Sequence, residues 1–214
     1  MKGLLIDTST ALCVLALIEE ENLLSVESWP HANQLSKNFF TSLQAFLDRY
    51  TISLKEIHYI AVGIGPGSYT GTRVGVAIAK SLAFALKLPL IDFCSLLAFT
   101  PEKKGSFAHL LDAKMGDYFL LQGCNDSHPM TYERSETLTA LADLPPLLEK
   151  AQRILSFHIE SIQALIGHLP TLSHCEWSKP TLNLPPLIPL IHRRYGEKKD
   201  SLDQEISLIY LRDV

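Results

Sequence analysis

Gly65-Pro66-Gly67-Ser68-Tyr69-Thr70-Gly71-Thr72-Arg73, followed by a nearly uninterrupted apolar run from Val74 to Leu86, is the stretch whose reading decides the fold. Ile57 to Ile64, just before it, is rich in β-branched residues, carries no charge and reads as a buried strand. Val74 to Leu86 is Ala/Leu-rich and reads as a helix. The glycines therefore sit on a strand-to-helix turn, where free backbone N–H groups face whatever approaches. Ser68, Thr70 and Thr72 are all candidate N-caps, and Pro66-Gly67 fits the centre of a type II turn. Three familiar phosphate or nucleophile motifs fail here. Gly71 is not followed by Lys-Ser/Thr, the spacing of Gly63, Gly65 and Gly67 is not G-x-G-x-x-G, and Pro66 stands where a nucleophile elbow needs glycine. A tight turn without a ligand is the alternative.

Within Val74–Leu86 the only charge is Lys80, and Arg73, Lys80 and Lys87 recur at seven-residue intervals, confining charge to one stripe. A helix this apolar is buried on more than one side. Gly75, Ala77, Ala79, Ala83 and Ala85 are small enough to let a neighbour approach closely. Two flanks bound the charged stripe: Val74, Ile78, Ser81 and Ala85 on one side, Val76, Ala79 and Ala83 on the other. Either the helix is central to a large core, or its own sheet takes one flank and a partner protein the other.

Composition narrows the class. A chain of 214 residues, 47% hydrophobic, can bury one large core or two smaller ones. No run reaches the length of a membrane span, and Met1-Lys2-Gly3 leads straight into a strand-like segment, so the expectation is a cytoplasmic chain without a secretory leader. Cys13, Cys94, Cys124 and Cys175 form no C-x-x-C pair and read as reduced thiols; His174-Cys175 is isolated and does not suggest a metal site. A net charge of −4 argues against a dedicated nucleic-acid binder. The one basic cluster, His192-Arg193-Arg194 with Lys198-Lys199, reads as a solvated helix terminus, with a secondary RNA contact as the alternative.

In chain order, Lys2–Ile6, Leu12–Ile18 and Leu23–Trp29 read as strands, Leu35 to Tyr50 as a helix, Leu88–Asp92 as a strand and Ser95 as the cap of a short helix. Glu102-Lys103-Lys104-Gly105 is the best linker, dividing the chain into residues 1–101 and 102–214. Beyond it, Ala108-His109-Leu110-Leu111-Asp112 echoes Gly3-Leu4-Leu5-Ile6-Asp7, each an apolar strand ending on Asp, then a turn and a second strand. That pairing suggests a duplicated architecture. The second half is less regular. Pro145-Pro146 opens a short helix, Arg153–His158 reads as a strand and Ile159–Ile166 as a helix, and residues 167–185 read as irregular. Pro185-Pro186 opens a helix expected to stop at Gly196, and Ile206–Leu211 is a final extended tail that can pack back on the first lobe.

The segment GPGSYTGTRVG, Gly65 to Gly75, resembles the signature of the TsaB (YeaZ) family. Ile6-Asp7-Thr8-Ser9-Thr10, Asp112-Ala113-Lys114-Met115-Gly116 and Tyr210-Leu211-Arg212 extend the resemblance in the family's order. It implies an α/β chain with the actin-like, Hsp70-like ATPase (ASKHA) fold: two βββαβαβα-type lobes, the second reduced. It also implies a non-catalytic subunit. Such a subunit pairs with and activates a TsaD-type transferase that forms threonylcarbamoyladenosine at position 37 of tRNAs reading codons that begin with A. A TsaE-type ATPase joins, tRNA is met only within the complex, and the subunit is a homodimer when alone. The family's interface packs the first two helices, here Asn33–Tyr50 and Thr72–Lys87, and the partner-binding candidates on them are Leu35, Phe39, Leu43, Arg73, Val76, Ala79, Lys80 and Ala83. Gly65, Gly67, Ser68 and Gly71 form the glycine loop. His31-Ala32-Asn33 departs from the family's more usual His-Ser-Glu.

The residues themselves speak against ATP chemistry. Actin-like kinases hold phosphate at the first hairpin through a turn containing glycine, and Asp7 is followed by Thr8-Ser9-Thr10. No glycine-rich adenosine loop occupies Leu155–Glu160. Asp7, Thr8 and Asp112 remain the candidates for a nucleotide or magnesium contact, although carboxylates at strand ends more often form turns. No cofactor of the chain's own is expected, with ATP or ADP and magnesium confined to the shared interface of the complex. A free-standing small-molecule kinase and a homodimeric structural protein are the alternatives.

Overall fold

The computed structural model describes residues 1–30, 35–126, 131–134, 138–198 and 206–209, with residues 35–38 and 134 described in backbone only. The chain forms two compact units. Met1–Ser95 and the segment from Leu187 make the first, and Leu96–Pro186 makes the second.

The first unit opens with β1 (Lys2–Asp7), β2 (Leu12–Glu19) and β3 (Asn22–Pro30), an antiparallel meander. Helix α1 (Leu35–Arg49), β4 (Tyr59–Gly63), α2 (Tyr69–Leu86) and β5 (Leu90–Phe93) follow. The strand order is β3-β2-β1-β4-β5, with β1, β4 and β5 parallel. Strands covered on both faces read as continuous apolar runs, as β1, β2 and β4 do. Alternation along the strands divides the two faces. Leu4, Ile6, Ile60 and Val62 join Phe39, Leu43, Phe46 and Leu47 of α1 and Val76, Ala79 and Ala83 of α2 in one core. On the opposite face the Tyr59 ring lies 5.2 Å from that of Tyr195 on α5 (Ile188–Lys198).

The second unit repeats this plan in miniature. Strands β6 (Ser106–Asp112), β7 (Asp117–Cys124) and β8 (Thr131–Arg134) form the meander, with a short β9 (Thr139–Ala140) paired to β7. Then come α3 (Leu144–Leu148), β10 (Arg153–Leu155), α4 (Ile159–Ile166) and β11 (Glu176–Ser178). The order β11-β10-β6-β7-β8 is the first unit's order over again. The echo of Asp7 in Asp112 thus reflects a repeated topology, each aspartate ending the first strand of its sheet. The helices account for the reduction: 15 and 18 residues in α1 and α2, against 5 and 8 in α3 and α4. This is the actin-like, Hsp70-like fold.

Several expectations are corrected. Leu96–Pro101 belongs with the second unit, where Phe99 bridges Asn183, and α5 belongs with the first, so a division at 101/102 misplaces both. Helix α5 does not stop at Gly196 but runs to Lys198. Arg194 Nη1 donates to Asp92 Oδ2 at 2.7 Å and Lys198 Nζ to Oδ1 at 2.9 Å, and these contacts carry the helix past the glycine. Two cations of the basic cluster are thereby committed to Asp92 and are not free for RNA; Lys199 and Tyr210–Arg212 lie outside the described residues. Although burial pulls it upward, the Lys198 hydrogen bond and the two positive charges hold the Asp92 carboxyl below its ordinary value. Residues 167–185 contain β11, missed because three residues on a sheet edge carry almost no periodic signal.

Candidate functional site

The turn after β1 and the glycine loop before α2 form one structure. Asp7 is 1% exposed, and its Oδ1 accepts from the Ser9 N–H at 2.8 Å and the Ser9 hydroxyl at 2.7 Å. Its Oδ2 lies against Gly63 with no hydrogen-bond partner, where any side chain on residue 63 would collide with it. Burial pushes the carboxyl above the usual range, against the opposing pull of the Ser9 donors. It also raises the thiol of neighbouring Cys13 to about 11, helped by the negative charge of Asp7.

The glycine loop closes over this turn. The Ser68 N–H donates to the Ser9 carbonyl at 2.6 Å, and the Thr8 hydroxyl donates to the Gly71 carbonyl at 2.6 Å. A Cβ on Gly67 would strike the Ser9 carbonyl, and one on Gly75 would strike Thr8 Oγ1. The glycines are therefore required by close approach of the β1–β2 turn. Of the three candidate caps, Ser68 is the N-cap, accepting from the Gly71 N–H at 3.2 Å, so α2 starts five residues earlier than its apolar run. The positive φ falls on Gly65 (92°) and not on Gly67, so the type II turn does not form. Gly65 is held through its N–H to Ser95 Oγ at 3.0 Å and its carbonyl from the Ser95 N–H at 2.8 Å. The described tail packs here too: Ile209 donates to the Ile64 carbonyl at 2.9 Å, and Ile206, Leu208 and Ile209 lie on the first unit's core. The N–H groups of Gly65, Ser68 and Gly71, which the sequence left open to a ligand, thus bond to the chain itself.

This turn does not fit a phosphate or a magnesium ion. Its carboxylate is enclosed, the Ser9 N–H and hydroxyl are spent on Asp7, and the Thr8 hydroxyl is spent on the Gly71 carbonyl. In the second unit Asp112 accepts from the Lys114 N–H at 2.6 Å and is only half-buried, on a turn where Lys114, Met115 and Gly116 all have positive φ. Among the described residues no group of three or more His, Cys, Asp or Glu side chains could hold a metal.

The surface of α2 differs from its sequence reading. Val76, Ala79 and Ala83 face the lobe's own sheet, as do Phe39 and Leu43 of α1, each at most 5% exposed, and their side chains are not available to a partner. Leu35 is described in backbone only, and the head of α1 at His31–Asn33 lies outside the described residues. Arg73 is exposed, its guanidinium 3.9 Å from the centre of the Tyr69 ring, and Lys80 is half-buried. The outward face is Tyr69, Arg73, Ala77, Ser81, Phe84 and Ala85, with Phe84 78% exposed; on α1, Phe40 is 51% exposed. Sequence reasoning missed Tyr69, Phe84 and Phe40. The spacing 69, 73, 77, 81, 84 was the available signal, a stripe that includes the arginine but mixes aromatic with small residues.

Fold and site together define a two-lobed actin-like protein whose first phosphate turn is closed by its own chain. A family model described as TsaD, tRNA N6-adenosine threonylcarbamoyltransferase, matches residues 31–142, just over half of the chain. The Escherichia coli K12 protein named tRNA threonylcarbamoyladenosine biosynthesis protein TsaB is 33% identical over 125 residues, covering 56% of this chain and 53% of that protein. Its Bacillus subtilis 168 namesake is 29% identical over 126 residues, with 56% and 53% covered. The chain spans about half the length of these curated relatives it matches. Among solved structures, YeaZ from Pseudomonas aeruginosa superposes with a TM-score of 0.70 at 18% identity, over 94% of this chain and 98% of that one, a likeness of fold. The chain belongs to this family, among its TsaB (YeaZ) members.

Proposed function

We propose that the chain is a non-catalytic subunit that pairs with a TsaD-type transferase and activates it in forming threonylcarbamoyladenosine at position 37 of tRNAs reading codons that begin with A. The observation that carries this reading is the outer face of α2, where Phe84 stands 78% exposed on a stripe of small residues while the opposite side is buried in the lobe. An exposed aromatic ring among small residues lets a second protein approach closely around it, and aromatic anchors supply much of an interface's energy. The enclosed Asp7 turn speaks against a small-molecule kinase. Any ATP or ADP with magnesium belongs at the shared interface with the transferase, a TsaE-type ATPase joins there, and tRNA is met within the complex. The same face serves a homodimer when the transferase is absent. Among the described residues no helix is long and apolar enough to cross a membrane, and the proposed site of action is the cytoplasm.

Two adjacent substitutions test this. Ala83 is 0% exposed and Phe84 78%, so Ala83→Glu and Phe84→Glu place the same charge at a buried and an exposed position of one helix. Ala83→Glu buries an unpaired charge at a cost of several kcal/mol and unfolds the first lobe. Phe84→Glu stays within about 0.5 kcal/mol of the parent stability, as surface changes do, yet abolishes co-purification with a TsaD-type protein and threonylcarbamoyl transfer to tRNA. Normal pairing and transfer by a folded Phe84→Glu protein would overturn the assignment.

A further inference from the structure

We propose that the β1–β2 turn is a positioning device for the docking face of α2, with Thr8 and Ser9 as positioning residues. The inference rests on the reading of α2 as that face and adds what holds it in place.

The buried side of α2 is Gly71, Thr72, Gly75, Val76, Ile78, Ala79 and Ala83. Side chains this small raise few ridges toward the N-terminal half, so packing alone resists rolling or sliding only weakly there. Polar anchors supply what packing lacks. The Thr8 hydroxyl donates to the Gly71 carbonyl at 2.6 Å from within the notch left by Gly75. The Ser9 carbonyl accepts from the N–H of the N-cap Ser68 at 2.6 Å. Ser9 is fixed in turn by both of its bonds to Asp7 Oδ1. The chain of contacts runs Asp7 to Ser9 to Ser68, with Thr8 one turn further along the helix. Tyr69 and Arg73, which begin the outward stripe, flank Gly71 and move with it. At the roughly 5 Å radius of a helix with its side chains, a roll of about 20° carries an outer group by about 2 Å, enough to spoil a packed interface.

The test uses the full chain as Thr8→Val, which keeps the shape and removes the donor, and Thr8→Ser, which restores the donor. Hydrogen exchange in the free protein reads the helix, and titration with the TsaD-type transferase reads the docking. In Thr8→Val, protection of the α2 amides through Val76 falls by about five-fold, the worth of one net hydrogen bond, while β1, β4 and the last turns of α2 hold theirs. Pairing weakens by a similar factor, and Thr8→Ser restores both. Protection lost evenly across the first lobe would make Thr8 merely structural and overturn the proposal. Local loss with unchanged pairing would overturn it as well. If the unsubstituted protein fails to pair at all, the docking reading falls first and takes this inference with it.

Discussion

His109 offers a measurement that reaches the second lobe independently of any partner. It sits on β6 between Leu121 and Leu155, 0% exposed, its ring 5.6 Å from that of Phe157, and neither ring nitrogen has a hydrogen-bond partner. Burial holds its pKa down to about 3, against an ordinary 6.5; the Leu96 backbone opposes that shift only in part. Because the folded value lies below the unfolded one, the unfolded chain takes up the proton first. The stability held by neutral His109 is therefore complete above pH 6.5 and drains as pH falls toward 3. At pH 5 the loss from this one group amounts to about 2 kcal/mol. His109→Leu removes the titration, so the variant loses less on acidification. Each lobe carries one tryptophan, Trp29 on β3 and Trp177 on β11. In a Trp29→Phe background, urea unfolding followed by Trp177 fluorescence reports the second lobe alone. The variant's acid limb should be shallower than its parent's by about 2 kcal/mol between pH 7.5 and 5. Parallel losses in the two proteins would show that His109 is not held neutral in the folded lobe, and the reasoning would fail.

Two further outcomes follow from the first lobe. The isolated protein should show no ATP turnover approaching ~1 s⁻¹, the low end of enzyme rates, and Asp7→Ala should change only its stability; faster hydrolysis lost on Asp7→Ala would sink the closed-turn reading. Asp92→Ala should cost about 1–2 kcal/mol in thermal or urea unfolding, a figure discounted for partial exposure, because it strands Arg194 and Lys198. An unchanged melt would mean that α5 is held by its apolar contacts alone.

Where the sequence was legible, burial on both faces made it so. Strands β1, β2 and β4 are buried almost end to end, and their apolar runs mark them without any tertiary knowledge. The repeat was readable from Asp7 and Asp112 because both end a first strand, a position the fold uses twice. Strands β8 and β11 were not readable. Thr131–Arg134 and Glu176–Ser178 are short, polar and at sheet edges, where pairing to one neighbour sets the conformation. Gly196 misled for a related reason. A glycine is a fair helix stop in isolation, but the Arg194 and Lys198 contacts to Asp92 lie about a hundred residues away in sequence.

The outward face of α2 was illegible for a different reason. Charge is a poor compass on a helix with so few charges. Arg73 and Lys80 do lie toward solvent, but the exposed arc spreads from them to one side only, through Ala77, Ser81 and Ala85. Val76 and Ala83, at the same angular distance on the other side, are 5% and 0% exposed. Small residues pattern alike whether they admit the lobe's own sheet or a second protein, so composition cannot tell the two flanks apart. What breaks the symmetry lies far away in sequence. Thr8 Oγ1 occupies the space that a Cβ on Gly75 would need, on the side of α2 where Gly75, Ala79 and Ala83 are buried, while Phe84 stands outward. A turn that in an ATPase would face a phosphate is packed here against the buried side of α2, and the side left exposed is the one that carries Phe84.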